Sequence, residues 1–191
     1  MITNVNLEVL AEKLHTYDVD QEAWEQEANG FEANAGHVLT HLAKDLVGKN
    51  FDDEELVRTA IAPDSVQYGL RLARWSGIGI ADVVTMGEAE EDIRSEVEAS
   101  FDFKKLPWGF ASFAGGMRTL AVHLHDAEHK STREATLRGR QASMRSASRL
   151  LINSASIQSY QLNFSLPEAF DNRLAFLRNR FGIPQPQNTQ T

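Results

Sequence analysis

His37, His41 and Lys44 stand at i, i+4 and i+7, so on a helix they stack on one face and present three nitrogen donors. A denser cluster of metal-capable side chains lies further on, His123-Leu-His-Asp-Ala-Glu-His129. There His125 and His129 share a helical face with Asp126 at its flank, and His123 points nearly the opposite way. Two i, i+4 histidine pairs on different helices can meet across a bundle and hold a transition metal. Histidines near a helix C-terminus are also favoured simply by the helix dipole. Carboxylates repeat at i, i+3 in Glu22/Glu25 and Glu88/Glu91, a spacing that suits a divalent cation or a solvated acidic face. Asp64 sits where a first helical turn favours a carboxylate, and a capping role would explain it as well as a ligand role. Lys130 to Arg149 holds six Lys/Arg against one acid, Glu134. It lacks the interleaved aromatics on which single-stranded nucleic acids stack, so no nucleic-acid partner is expected.

These residues need helices to position them, and the pattern supplies little else. Val38, Leu39, Leu42 and Leu46 form one apolar stripe of a helix over Gly36 to Lys49. A second helix from Asp64 to Trp75, closed by the turn Ser76-Gly-Ile-Gly79, makes a hairpin with it that reads as the centre of the chain. Upstream, residues 5 to 15 predict a short amphipathic helix with a break at Thr16 to Asp20, Asp20 capping the next acidic segment. Asp52 and Glu55 resemble a capping box, and Pro63 predicts a break or kink by biasing Ala62 away from helical dihedrals. An acidic helix over Ala81 to Ala99 leads to a connector at Phe101 to Phe110, marked by Pro107 and Gly109. Phe113, Met117, Leu120 and Leu124 give a further stripe, with Gly115-Gly116 allowing close helix approach or a kink. The last helices cover Leu150 to Gln161 and the segment after Ser165-Leu-Pro-Glu168, a capping box with Pro in its first turn. Phe170, Leu174 and Leu177 form its buried stripe, and Gly182 and Pro184 stop it.

The expected fold is therefore all-α, a helical bundle of about five to seven helices in one domain over residues 1–184, with a polar tail at 185–191. An offset of 86 brings Ile80-Ala-Asp-Val83 onto Leu166-Pro-Glu-Ala169, which suggests a pseudo-repeat of 30–100 and 111–183. The 191 residues contain no cysteine, which removes disulfides and zinc-thiolate sites and suits a reducing cytoplasm. No signal peptide is expected, and no run of about 18 apolar residues predicts a membrane span. The net charge of −8 is uneven: residues 1 to 110 hold 22 Asp/Glu and 9 Lys/Arg, and residues 111 to 191 hold 5 and 10. That asymmetry reads as the two halves packing on each other, or as an anionic ligand on the basic half.

The stretch Ile61-Ala-Pro-Asp64-Ser-Val-Gln-Tyr-Gly-Leu-Arg71-Leu-Ala-Arg-Trp-Ser-Gly77-Ile-Gly-Ile-Ala-Asp82-Val resembles the second core helix and following turn of MazG-like proteins, members of the all-α nucleoside triphosphate pyrophosphohydrolase superfamily. His37-Val-Leu-Thr-His41-Leu-Ala-Lys44 resembles the preceding helix, and Ser165 to Ile183 the closing one. The resemblance implies cleavage between the α and β phosphates of a nucleotide. It implies Mg²⁺ held by a Glu-x-x-Glu and a Glu-x-x-Asp pair, neutralising phosphate charge and activating water. Asp64 matches the aspartate, but Ile61 stands at its glutamate, and His37 and His41 stand where the first pair belongs. Under this reading Asp64 with Glu32 or a displaced glutamate binds the cation, while His37, His41, Lys44 and Arg71 meet phosphates or assist proton transfer. Two alternatives stay open: a non-catalytic helical interaction protein acting as a homodimer, and a histidine-based transition-metal bundle built on His125, Asp126 and His129.

Overall fold

One helix, Ala62–Trp75, is buried almost all round although its sequence is not apolar all round. Asp64, Ser65, Gln67 and Arg71 are as enclosed as Val66, Leu70 and Leu72. Buried polar groups must be partnered, so the neighbours of this helix are constrained by chemistry as well as by shape. A computed structural model describes residues 6–28, 35–48, 53–75, 77, 113–119, 121–122 and 133–184. In chain order these give α1 (Leu7–Ala28), α2 (Ala35–Gly48) and α3 (Glu54–Leu56). A π-helical turn (Val57–Ile61) then leads into α4 (Ala62–Trp75). Helical residues 113–119 and 121–122 follow, then α5 (Arg133–Gln161) and α6 (Leu166–Phe181). The fold is all-α, with no strand among the described residues, as the hydrophobic pattern predicts.

Two core clusters flank α4. On one side Leu10, Leu14 and Tyr17 of α1, Val66 and Leu70 of α4, Ile152 of α5 and Phe170 and Leu174 of α6 close over one another. On the other, Val38 and Leu42 of α2 meet Tyr68 and Leu72 of α4, with Phe113, Ala147 and Leu151. The expected pairing of α2 with α4 is thus present as an apolar contact, but among the described residues the most extensive packing of α4 is against α5. Gly69 makes this possible. A Cβ there would lie 2.7 Å from Ile152 Cγ1 and 3.0 Å from the carbonyl oxygen of Ser148. The hydroxyl of Ser148 donates to the Gly69 carbonyl at 2.7 Å, fixing the crossing point. Gly116 approaches α5 in the same manner, against Ala147 and Leu151, so of the expected glycine pair it allows a close approach.

Several local expectations need correction. Helix α1 runs unbroken from Leu7 to Ala28, through the segment where Thr16 to Asp20 predicts a break. Leu10, Leu14, Tyr17 and Asp18 stand at i, i+4, i+7 and i+8 on its buried face, and burial outweighs the weak helix preference of the intervening residues. Asp20 is interior to the helix and pairs with Arg178 at 2.8 Å instead of capping. The cap of α3 is Asp53, whose Oδ1 accepts from the Leu56 N–H at 3.0 Å, one residue beyond the expected Asp52.

Pro63 does not break the chain either. Ala62 keeps helical dihedrals (φ −65°, ψ −49°), and its N–H donates to the Val57 carbonyl five residues back. Proline has no N–H to offer Thr59, and its ring crowds that carbonyl. The wider π turn accommodates both defects without ending the helix. The expected helix over Leu150 to Gln161 is the second part of the longer α5.

Helix α6 matches its sequence signals. The Glu168 N–H donates to Ser165 Oγ at 3.4 Å, Pro167 lies in the first turn, and Phe170, Leu174 and Leu177 are buried. Gly182 takes the left-handed conformation (φ 69°), and the Ile183 N–H reaches back to the Arg178 carbonyl at 2.9 Å. The Gly182 N–H reaches the Asn179 carbonyl at 3.4 Å, which completes a Schellman ending. No helix among the described residues is long and apolar enough to cross a membrane. The expected helix 81–99, the connector 101–110, the tail 185–191 and the Ile80 to Val83 side of the alignment behind the pseudo-repeat lie outside the described residues.

Candidate functional site

Asp64 lies in the first turn of α4, where its side chain is 5% exposed. Arg173 on α6 grips it with two parallel bonds, Nε to Oδ1 at 2.7 Å and Nη2 to Oδ2 at 2.8 Å. Such a fork uses the planar guanidinium against both carboxylate oxygens and is among the stronger pairings available to either group. A cation drawn to Asp64 would have to compete with that guanidinium inside a low-dielectric interior. The residue that the resemblance assigns to Mg²⁺ is therefore held in a structural ion pair.

Arg71, assigned to phosphate, is held in the same way. Its Nε donates to both oxygens of Asp18 on α1, at 3.0 and 3.1 Å, and its Nη2 adds a further bond to Oδ1. Burial works against the charged guanidinium, but the hydrogen bond and charge of Asp18 outweigh it and raise the Arg71 pKa above its ordinary value. Arg74 Nη2 reaches the second Asp18 oxygen at 2.9 Å, and Arg74 Nη1 lies 3.2 Å from His15 Nδ1. One buried carboxylate thus holds two arginines of α4.

Further pairs tie α1 to α6. Lys13 meets Asp171 at 2.7 Å, and Arg178 meets Asp20 while lying 5.5 Å over the Tyr17 ring and donating to the Pro184 carbonyl at 2.6 Å. The pairs Asp20–Arg178 and Asp64–Arg173 join the acidic half of the sequence to its basic half. Mutual packing therefore accounts for part of the charge asymmetry.

His41 and Lys44 do come together on α2, Lys44 Nζ lying 3.5 Å from His41 Nδ1. The His41 ring is tilted against Tyr68 of α4, with centroids 5.8 Å apart. Asp64 and Arg71 are engaged by α6 and α1. His37 lies on α2, with its side-chain surroundings outside the described residues. Glu32, Glu88, Glu91, His125, Asp126 and His129 lie outside them altogether. Among the described residues no group of three His, Cys, Asp or Glu side chains is placed to hold a metal ion.

A cleft of about 560 Å³ opens between the π turn and the first turns of α6. Arg58 crosses it to donate to the Leu162 carbonyl at 2.8 Å and lies 5.9 Å over the Phe164 ring. Arg173 lies 5.3 Å over the ring of Phe176, and Glu168 and Asn172 complete the rim. Sequence reasoning missed Asp18, Arg58 and Arg173. Pro63, next to the widened turn, and the capping residues Ser165 and Glu168 in the lining marked the region in advance.

Fold and site together define an all-α helical protein whose polar interior is closed by arginine–carboxylate pairs. No protein-family model, curated protein or solved structure matches the chain.

Proposed function

We propose that this chain is a non-catalytic helical interaction protein, in which the motifs resembling a nucleotide hydrolase serve packing. The observation that carries the reading is the fork between Asp64 and Arg173, supported by the parallel capture of Arg71 by Asp18. The two side chains that would bind Mg²⁺ and phosphate instead join α4 to α6 and α1. A folded protein that binds a ligand gains stability from it, so the test is thermal unfolding with Mg²⁺ and a panel of nucleoside triphosphates. The midpoint stays constant under this reading, and sedimentation resolves a self-association consistent with a homodimer. A rise in the midpoint that Asp64→Asn abolishes would overturn it.

A second reading, nucleotide pyrophosphohydrolysis in the cytoplasm, draws on the His41–Lys44 pair, two cation-capable groups of which His41 lies against the Tyr68 ring. It places phosphates at Lys44 and proton transfer at His41, with Mg²⁺ the expected cofactor. Pyrophosphate release that requires Mg²⁺ and falls on Lys44→Met would establish it over the first. Absence of turnover across the panel would remove it.

A further inference from the structure

The geometry points to the cleft between the π turn and α6 as a binding site for a small, uncharged planar aromatic molecule with a hydrogen-bonding edge. The size is right, since small-molecule sites occupy roughly 300 to 1,000 Å³ and this cleft encloses about 560 Å³. Its walls are specific in kind. Two guanidiniums, Arg58 and Arg173, lie over two phenyl rings, Phe164 and Phe176, at 5.9 and 5.3 Å.

Each guanidinium is also fixed in place by a bond elsewhere, Arg58 to the Leu162 carbonyl and Arg173 to Asp64. A flat cation held rigidly on an aromatic ring is a prepared stacking surface for an electron-rich ring, because the planar guanidinium attracts π-faces. Rigidity removes the ordering penalty that a mobile arginine would carry on binding. Phe176 supplies a second incentive: the residue is 51% exposed, so a ligand that covers it removes apolar surface from water.

The pairing of the two arginines decides the ligand's polarity. Against Arg58 stands Glu54 at 3.5 Å, against Arg173 stands Asp64, and Glu168 lines the rim. Both guanidiniums of the lining are thus already paired with carboxylates, and Glu168 adds a negative charge to the wall, which disfavours a phosphate. The specific groups are instead the Asn172 amide and the Glu168 carboxylate, which together can accept from and donate to a heterocycle's edge. This site is separate from the His41–Lys44 pair and independent of whether the chain hydrolyses nucleotides.

The test uses adenosine and indole as ring probes, with inorganic phosphate as the charged control, titrated into the full chain labelled at phenylalanine rings for NMR. Saturable shifts of the Phe164 and Phe176 ring signals are expected with both ring probes and none with phosphate. Phe176→Ala removes an exposed ring and weakens binding by about two- to tenfold, the worth of one aromatic contact. Ala169→Phe, which fills the cleft, abolishes the shifts. The proposal is overturned if neither ring produces saturable shifts at these signals. Undiminished affinity in Phe176→Ala, or saturation by phosphate at the same signals, also overturns it.

Discussion

Removing one partner of the Asp64–Arg173 pair leaves a buried charge without its fork, and removing both does not. Asp64→Ala leaves a guanidinium whose side chain is 17% exposed without its carboxylate, and Arg173→Met leaves a carboxylate that is 5% exposed without its guanidinium. Breaking a buried pair from one side costs about 3 to 5 kcal/mol, most of it the desolvation of the charge left behind. Two bonds are lost in either case, because the fork engages both carboxylate oxygens. The double variant Asp64→Leu/Arg173→Met replaces the fork with apolar groups and lies within about 2 kcal/mol of the parent, since apolar isosteres often match a buried ion pair. The cycle therefore closes with a coupling energy of several kcal/mol, far above the roughly 0.2 to 1 kcal/mol typical of exposed pairs. Urea unfolding followed by circular dichroism measures all four proteins, with the denaturant slope checked for constancy. If each single variant loses less than about 1 kcal/mol, or the double variant loses the sum of both, the fork is not the structural element described.

Three further outcomes follow from the same contacts. Gly69→Ala forces a Cβ to within 3.0 Å of the Ser148 carbonyl oxygen, which cannot turn away as a side chain can, and lowers stability by about 1 to 3 kcal/mol in urea unfolding. Arg71→Met destabilises by a similar margin at neutral and at mildly alkaline pH. The raised folded-state pKa of Arg71 means that its contribution is fully present below the unfolded pKa, and it fades only as pH climbs through the still higher folded value. A loss of that contribution already visible between roughly pH 7 and 9 would contradict the assignment. Ser165→Ala removes the acceptor for the Glu168 N–H and costs about 0.5 to 2 kcal/mol, while Ser165→Asp restores most of it in thermal unfolding.

The parts of the fold legible in the sequence are those determined within a few residues. Ser165, Pro167, Phe170 and Gly182 each announce their role on α6 because a cap, a first turn, a buried stripe and a left-handed ending are local geometry. The break expected in α1 failed for the opposite reason. Asp18 is helical and buried because Arg71 meets it from 53 positions away, and nothing near Asp18 in the chain discloses that. Asp64 was legible as a first-turn carboxylate but not as the partner of Arg173, 109 positions distant. The π turn shows a third limit. Pro63 signals a disturbance correctly, but whether the chain breaks or widens depends on the packing around Val57, Ala60 and Ile61, all buried. The same long-range pairing hid the cleft, since Arg58 and Phe164 meet only when α6 folds back beside the turn.

The distance between Asp64 and Arg173 along the chain also bears on how the protein comes to be folded in a cell. During synthesis α4 emerges with its carboxylate more than a hundred residues ahead of the guanidinium that neutralises it. Asp20 on α1 waits longer still for Arg178. Until α6 leaves the ribosome, the apolar cluster around Phe170 has no lid and the acidic groups beneath it stay wet. The N-terminal helices cannot complete their core one by one as they appear, and closure falls to α6. A nascent chain stalled before Ser165 should be protease-sensitive throughout α1 and α4, and one released after Ile183 should resist.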